Sequence, residues 1–158
     1  MRQRGFSLIE LMMVFVVVGI VLAVGLPTFS AFTRTMKERQ AREELRQNLR
    51  NARQAAVTRH CPVVVAFGTG GQTTGITRYV VLVDVNGDRT RQTTESARDY
   101  VLPKNCQLGM SGFQPCDSLI FDLSGALWPG TRGGEFIISG ATTSDTLALS
   151  ATGMVYEP

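Results

Sequence analysis

The 158-residue sequence is short of the residues that carry most catalytic chemistry. It has one histidine, His60, three cysteines and one tryptophan, Trp128. A single histidine cannot form a cluster, and Cys61, Cys106 and Cys116 contain no CxxC pair, so no nitrogen and sulfur donor set for a metal stands out. Ser-His or Cys-His nucleophiles could be built only around His60. Its place at the end of a helical stretch suits carbonyl capping or exposure to water. There is no glycine-rich phosphate loop and no carboxylate pair at a recognisable spacing. A strong charge excess is also missing. The net charge is +3, and removing Arg2 and Arg4 leaves the rest near +1. That balance does not imply nucleic acid. The Arg-rich stretch over residues 34–59 is interleaved with acids, as a solvated helix face is. These absences argue against an enzyme and against a bound cofactor.

What the sequence does have is a long apolar run. "GFSLIELMMVFVVVGIVLAVGLP" follows a short basic leader. Residues 11–26 hold no charged side chain, and residues 6–26 give about 21 positions, against the roughly 20 that a membrane-crossing helix needs. The Arg2 and Arg4 flank orients the remainder outside the cytoplasm. A conventional secretory signal peptide has a shorter apolar region of about 7–15 residues. It would also make an odd host for Glu10, because an acid at a membrane helix centre costs roughly 2.5–3.5 kcal/mol, and less near the end. A lone acid there needs a partner.

"GFSLIEL" with its basic leader and apolar run resembles the class III signal of type IV pilins and type II secretion pseudopilins. The resemblance implies cleavage by a prepilin peptidase between Gly5 and Phe6, N-methylation of Phe6, and retention of the helix. Pro27, with Gly25 before it, implies a bend or local melting of the helix in a filament. Cleavage would leave a new α-amine on Phe6, one helical turn from Glu10. In a filament, Glu10 of one subunit can pair with the amine of its neighbour, and a low-dielectric surrounding makes any axial offset costly.

The helical pattern continues well past the apolar run. "TFSAFTRTMKERQAREELRQNLRNARQAAVTRH" has no Gly or Pro, and Leu45, Leu49, Ala52 and Ala56 recur at helical spacing. Glu38/Arg42 and Arg39/Glu43 stand at i,i+4. One helix over residues 6–59 would be about 80 Å long, more than a compact domain of this size contains. Pro62 ends it. Short β-type runs follow, "PVVVAF", "RYVVLVDV", "DYVLP", "CQLGM", "SLIFDL", "EFIISG", "TLALSA" and "MVYEP", separated by turn signals. The fold class expected is α+β, with one long helix packed on an antiparallel β head, one sheet covering the helix; the resemblance implies that this fold is pilin-like. The organisation expected is a leader at 1–5, a membrane or filament-core helix at 6–32, its amphipathic second half at 33–60, and a β-rich head at 61–158.

"LRQNLRNARQAAVTRHCPVVV", "VLVDVNGD", "LIFDLSGAL" and "LALSATGMV" resemble the GspH/FimT pseudopilin and minor pilin group. The resemblance implies a minor pilin of a type IV pilus, anchored in the inner membrane and then built into a filament. Its partners would be other pilins, the prepilin peptidase and the membrane assembly platform. An H-type pseudopilin, a DNA-binding competence pilin and a secreted soluble β domain are the alternatives. In the head, Asp84, Asn86, Asp88 and Glu95 occupy positions 1, 3, 5 and 12 of a calcium-loop spacing. However, Arg89 stands where a Gly is wanted, and Asn86-Gly87 reads first as a hairpin turn. On the oxidising side a disulfide is expected. Cys106–Cys116 is favoured, while Cys61 with either partner stays open. Trp128 reads as a hairpin packing residue with a chance of meeting a neighbouring subunit.

Overall fold

The computed structural model describes residues 7–68, 72–88, 92, 95–114, 118–140 and 144–158, with only the backbone for residues 24–28. A single helix, α1 (Leu8–Arg59), runs for 52 residues. Its first turn closes on the Ser7 carbonyl, which accepts hydrogen bonds from the Glu10 and Leu11 amides at 3.1 and 3.2 Å. Its end is set by His60, which adopts the left-handed conformation at φ 52° ahead of Pro62. The backbone stays helical across position 27.

Among the described residues eight strands follow: β1 (Val63–Phe67), β2 (Arg78–Val83), β3 (Ser96–Val101), β4 (Gln107–Ser111), β5 (Ser118–Phe121), β6 (Gly134–Ser139), β7 (Ser144–Leu149) and β8 (Val155–Tyr156). They form two four-stranded antiparallel sheets, ordered β3-β2-β1-β5 and β4-β6-β7-β8. The Val-rich β1 lies inside the first sheet, with Val63, Val65 and Phe67 facing the core. Beyond the two sheets, a bridge between Ile76 and Leu108 ties the approach to β2 onto β4 through paired amide–carbonyl bonds of 3.0 and 2.8 Å.

The expected stripe is where the helix meets the head. Leu45, Leu49, Ala52 and Ala56 are buried, joined by Ala41. One expectation is corrected: α1 contacts strands of both sheets, not of one. The small residues Ala52 and Ala56 are buried and let the helix approach the strands closely. The stripe also begins earlier than its apolar pattern shows, because Glu38 is buried, and it includes the polar Asn48.

Aromatic rings join the layers. Phe67 of β1 and Phe136 of β6 have ring centroids 5.2 Å apart, and Phe113 lies 4.6 Å from Phe136. Tyr79 stacks on Tyr100 at 5.1 Å, and its hydroxyl accepts a 2.7 Å bond from the Asn48 side-chain amide on the helix. That bond answers the polar cost of placing Asn48 on the stripe.

Burial pushes the Tyr79 phenol from 10.0 up to about 12, the Asn48 bond opposing it in part. The folded chain thus keeps this proton to a higher pH than the unfolded chain does. The contribution is complete below pH 10 and is lost as pH rises through about 12. Chemical denaturation across that window should show falling stability, and Tyr79→Phe should flatten the fall.

Candidate assembly helix and its anchorage to the head

The first half of α1 leaves the head behind. Over residues 8–22 the large apolar side chains are 45–78% exposed, and Phe29, Phe32 and Met36 are exposed beyond them. No face of this rod is covered, whereas an amphipathic helix of a closed domain would bury one. Among the described residues, no helix is long and apolar enough to cross a membrane. The side chains described there run from Leu8 to Ala23 before the gap at 24–28. Glu10 is exposed on the first turn, and no described residue forms a salt bridge with it. Gly5 and Phe6 lie outside the described residues, as does the side chain of Pro27.

Arg53 fixes the other half to the head. Its Nε donates to the Gly125 carbonyl at 2.9 Å, and a terminal nitrogen reaches Met154 Sδ at 3.1 Å. Gly125 belongs to the turn of "FDLSGAL" and Gly153 to that of "SATGMV", with φ of 80° and 75°. A Cβ on Gly125 would lie 2.9 Å from Val57 Cγ2 and 3.1 Å from Arg53 Cγ, and one on Gly153 would strike the Gly125 carbonyl. Two turns far apart in sequence therefore close on one arginine of the helix. Asp122 builds the first of them. One carboxylate oxygen accepts from the Ser124 amide at 2.9 Å, the Ser124 hydroxyl at 2.6 Å and the Ala126 amide at 3.0 Å. The bond from the Ser124 hydroxyl is the chief cause that holds this carboxyl below its usual range.

Two more arginines meet the end of the chain. Arg42 lies 3.8 Å from Asp145 and 3.7 Å from Glu157, and Arg46 lies 3.5 Å from Glu157 and 3.6 Å from Glu43. These half-exposed pairs are each worth little, about 0–1 kcal/mol, but together they lay the segment after β8 along the helix. The long-range partners of Arg53, Arg42 and Arg46 leave no local pattern in the sequence, where Arg42 stands only as the i,i+4 neighbour of Glu38; in the fold Glu38 is buried and Arg42 meets Asp145 and Glu157. Asn48 could have been found, since it stands three residues after Leu45 on the same stripe.

The acidic loop differs from a two-residue hairpin. Val83 of β2 pairs with Ser96 of β3, so residues 84–95 form the connection. Asn86-Gly87 does not close the strands directly. The reason is Asp84, fully buried at 0% exposure, whose amide donates to the Pro62 carbonyl at 2.9 Å and whose carboxylate accepts from the Gly87 amide at 2.7 Å. Glu95 accepts from the Val85 amide at 3.2 Å and the Gln92 amide at 3.3 Å. Carboxylate oxygens of Asp84, Asp88 and Glu95 come within 4.8 Å of one another. The Asn86 side chain bonds Asp88, donating to its carboxylate at 3.0 Å and accepting from its amide at 3.1 Å. Arg89 lies outside the described residues.

The expected Cys106–Cys116 clamp is not seen. Cys106 is a free thiol at 3% exposure, Cys61 is also free, and Cys116 lies outside the described residues. Burial pushes the Cys106 thiol above its usual value, with Glu38 adding to the rise. Trp128 is partly exposed in a turn, its amide donating to the Ile120 carbonyl at 2.8 Å.

Gly125→Ala should cost about 1–3 kcal/mol in chemical denaturation, since it combines a strained φ with two close contacts. The loop hydrogen bonds expect no calcium requirement: adding millimolar calcium should leave the thermal midpoint unchanged. A shift of several degrees, abolished by Asp88→Asn, would assign the three carboxylates to a cation.

Comparison with known proteins agrees with this geometry. Residues 1–26 match the prokaryotic N-terminal methylation motif, and residues 41–153 match the family described as type II transport protein GspH. No curated protein matches the chain. Among solved structures, the type IV minor pilin FimU of Pseudomonas aeruginosa is similar in two crystal forms. One has a TM-score of 0.61 and 19% identity, covering 80% of this chain and 92% of that one. The other has a TM-score of 0.57 and 18% identity, covering 76% and 91%. Arg53, Gly125, Gly153 and the buried stripe from Ala41 to Ala56 lie within the family match over residues 41–153, as do seven of the eight strands, with β8 just beyond it. With more than half of its length matched, the chain belongs to the GspH family, and it carries the pilin fold of one long helix on antiparallel sheets.

Proposed function

We propose that this protein is a minor pilin of a type IV pilus, a structural subunit rather than an enzyme. The observation that carries this reading is the uncovered apolar first half of α1, which starts in a methylation motif and ends in a head anchored elsewhere. Exposed apolar surface on this scale needs lipid or other helices around it. On this reading a prepilin peptidase cuts between Gly5 and Phe6, Phe6 is methylated, and residues 6–32 hold the subunit in the inner membrane with the head outside the cytoplasm. The assembly platform then moves the helix into a bundle of pilin helices. There Glu10 pairs with the α-amine of a neighbour, and Pro27 lets the helix bend. The subunit primes assembly or links tip subunits to the shaft. Likeness to FimU supports the pilus. The family description supports the second reading, an H-type pseudopilin of a type II secretion filament.

Mass spectrometry of the protein from membranes tests the processing. A mature N-terminus at methylated Phe6 is expected, and a start near residue 26 would remove the proposal. Glu10→Ala should still be processed and inserted. Its incorporation into sheared filaments should fall at least about tenfold, because the neighbour's amine would be left unpaired in low dielectric. Normal incorporation would refute the register role.

A further inference from the structure

Fourteen of the sixteen basic residues are arginines, and the two lysines, Lys37 and Lys104, lie far apart in sequence. In the fold they line one cavity of about 160 Å³ together with Arg34. Arg34 and Lys37 stand on α1, one turn apart. Lys104 comes from the β3–β4 connection, at the tip of a tight turn in which the Cys106 amide donates to the Pro103 carbonyl at 3.0 Å and Asn105 takes φ 71°. All three cations are exposed, and none forms a salt bridge among the described residues. Glu38 shares the wall but faces the head. It is 4% exposed, and its carboxyl fills the space where a side chain on Gly140 would be. The acid is thus withdrawn and the cations are presented, with two positive charges in excess over the lining acid.

The cavity also has a fixed height on the helix. Exposed apolar side chains continue to Phe29 and Phe32, and Arg34 is the first charged residue after Glu10, so the apolar half ends just before it. Arg34 and Lys37 lie two and five residues beyond Phe32, about 3 and 8 Å along the axis. A headgroup layer is roughly 5–8 Å thick on each side of the hydrocarbon. We propose that Arg34, Lys37 and Lys104 form a seat for the phosphate of an anionic lipid headgroup, which holds the head against the membrane surface before assembly. The proposal rests on the membrane-anchored reading above. It concerns the waiting subunit, since extraction into a filament would strip the lipid from the seat.

The two lysines make the test specific, because amine acylation inside the chain can occur nowhere else. The full chain is placed in nanodiscs of phosphatidylcholine, or of phosphatidylcholine with about one third phosphatidylglycerol, and acylation is followed by peptide mass spectrometry. Each cation near an anionic surface gains about fivefold in binding, so both lysines should be acylated at least about fivefold more slowly in the anionic discs. High salt should erase the difference. Arg34→Gln should weaken it without moving the thermal midpoint. Equal rates in the two discs would overturn the proposal. Slowing produced by inorganic phosphate in the neutral discs would assign the seat to a soluble anion and overturn the lipid. Slowing that depends on the number of chains per disc would assign it to a second copy, with the same result. Failure of the chain to enter either disc would overturn the anchored reading itself, and that outcome is distinct from equal rates in chains that have entered.

Discussion

Everything in this structure depends on how one helix divides its surface. The 52 residues of α1 are continuous, yet only those from Glu38 onward have a face under the head. The head needs that stripe, because both sheets complete their core on it: Leu45, Leu49 and Ala56 belong to the same cluster as Val65, Phe67, Phe136 and Leu147. Burying each large side chain contributes about 1.5–3 kcal/mol, so the stripe is part of what makes the strands a domain. The other half of the helix gains nothing from the head. The same element is therefore a core helix at one end and an unsatisfied surface at the other.

The junction between the helix and the head is polar and specific. Arg53 closes two glycine turns on the helix, Arg42 and Arg46 gather the end of the chain, and Asn48 meets Tyr79. Gly125 lies against the side chains of Val57 and Arg53, and Gly153 lies against the Gly125 carbonyl. Their conformations and contacts admit few other residues.

Much of the architecture was legible before any coordinates. The helix could be read because its two halves have different but continuous patterns, one apolar throughout and one at 3.6-residue spacing. Its end could be read from Pro62. The strands could be read from Val-rich runs and turn signals, though not their assortment into two sheets, since pairing is set by long-range packing that alternation does not encode. The acidic loop misled in one respect. Asn86-Gly87 looks like a two-residue hairpin, but the pull of buried Asp84 toward Pro62 and Gly87 places it inside a longer connection. Burial of Glu38 could not be seen either, because the space for its carboxyl comes from Gly140, about a hundred positions away. The site residues at the start of the chain were legible as a motif. The roles proposed for Gly5, Phe6 and Glu10 would be played against other molecules, and what supports them is the motif match over residues 1–26.

The continuity of α1 has a mechanical consequence. A pull along the helix axis reaches the head as shear, loading Leu45, Leu49, Ala52, Ala56 and the Arg53 bonds together. A pull across the axis would instead peel them apart one after another. Parallel loading shares the force among all the contacts, so a rod gripped along its length resists axial tension far better than sideways tension. A subunit built this way suits a fibre that is drawn lengthwise.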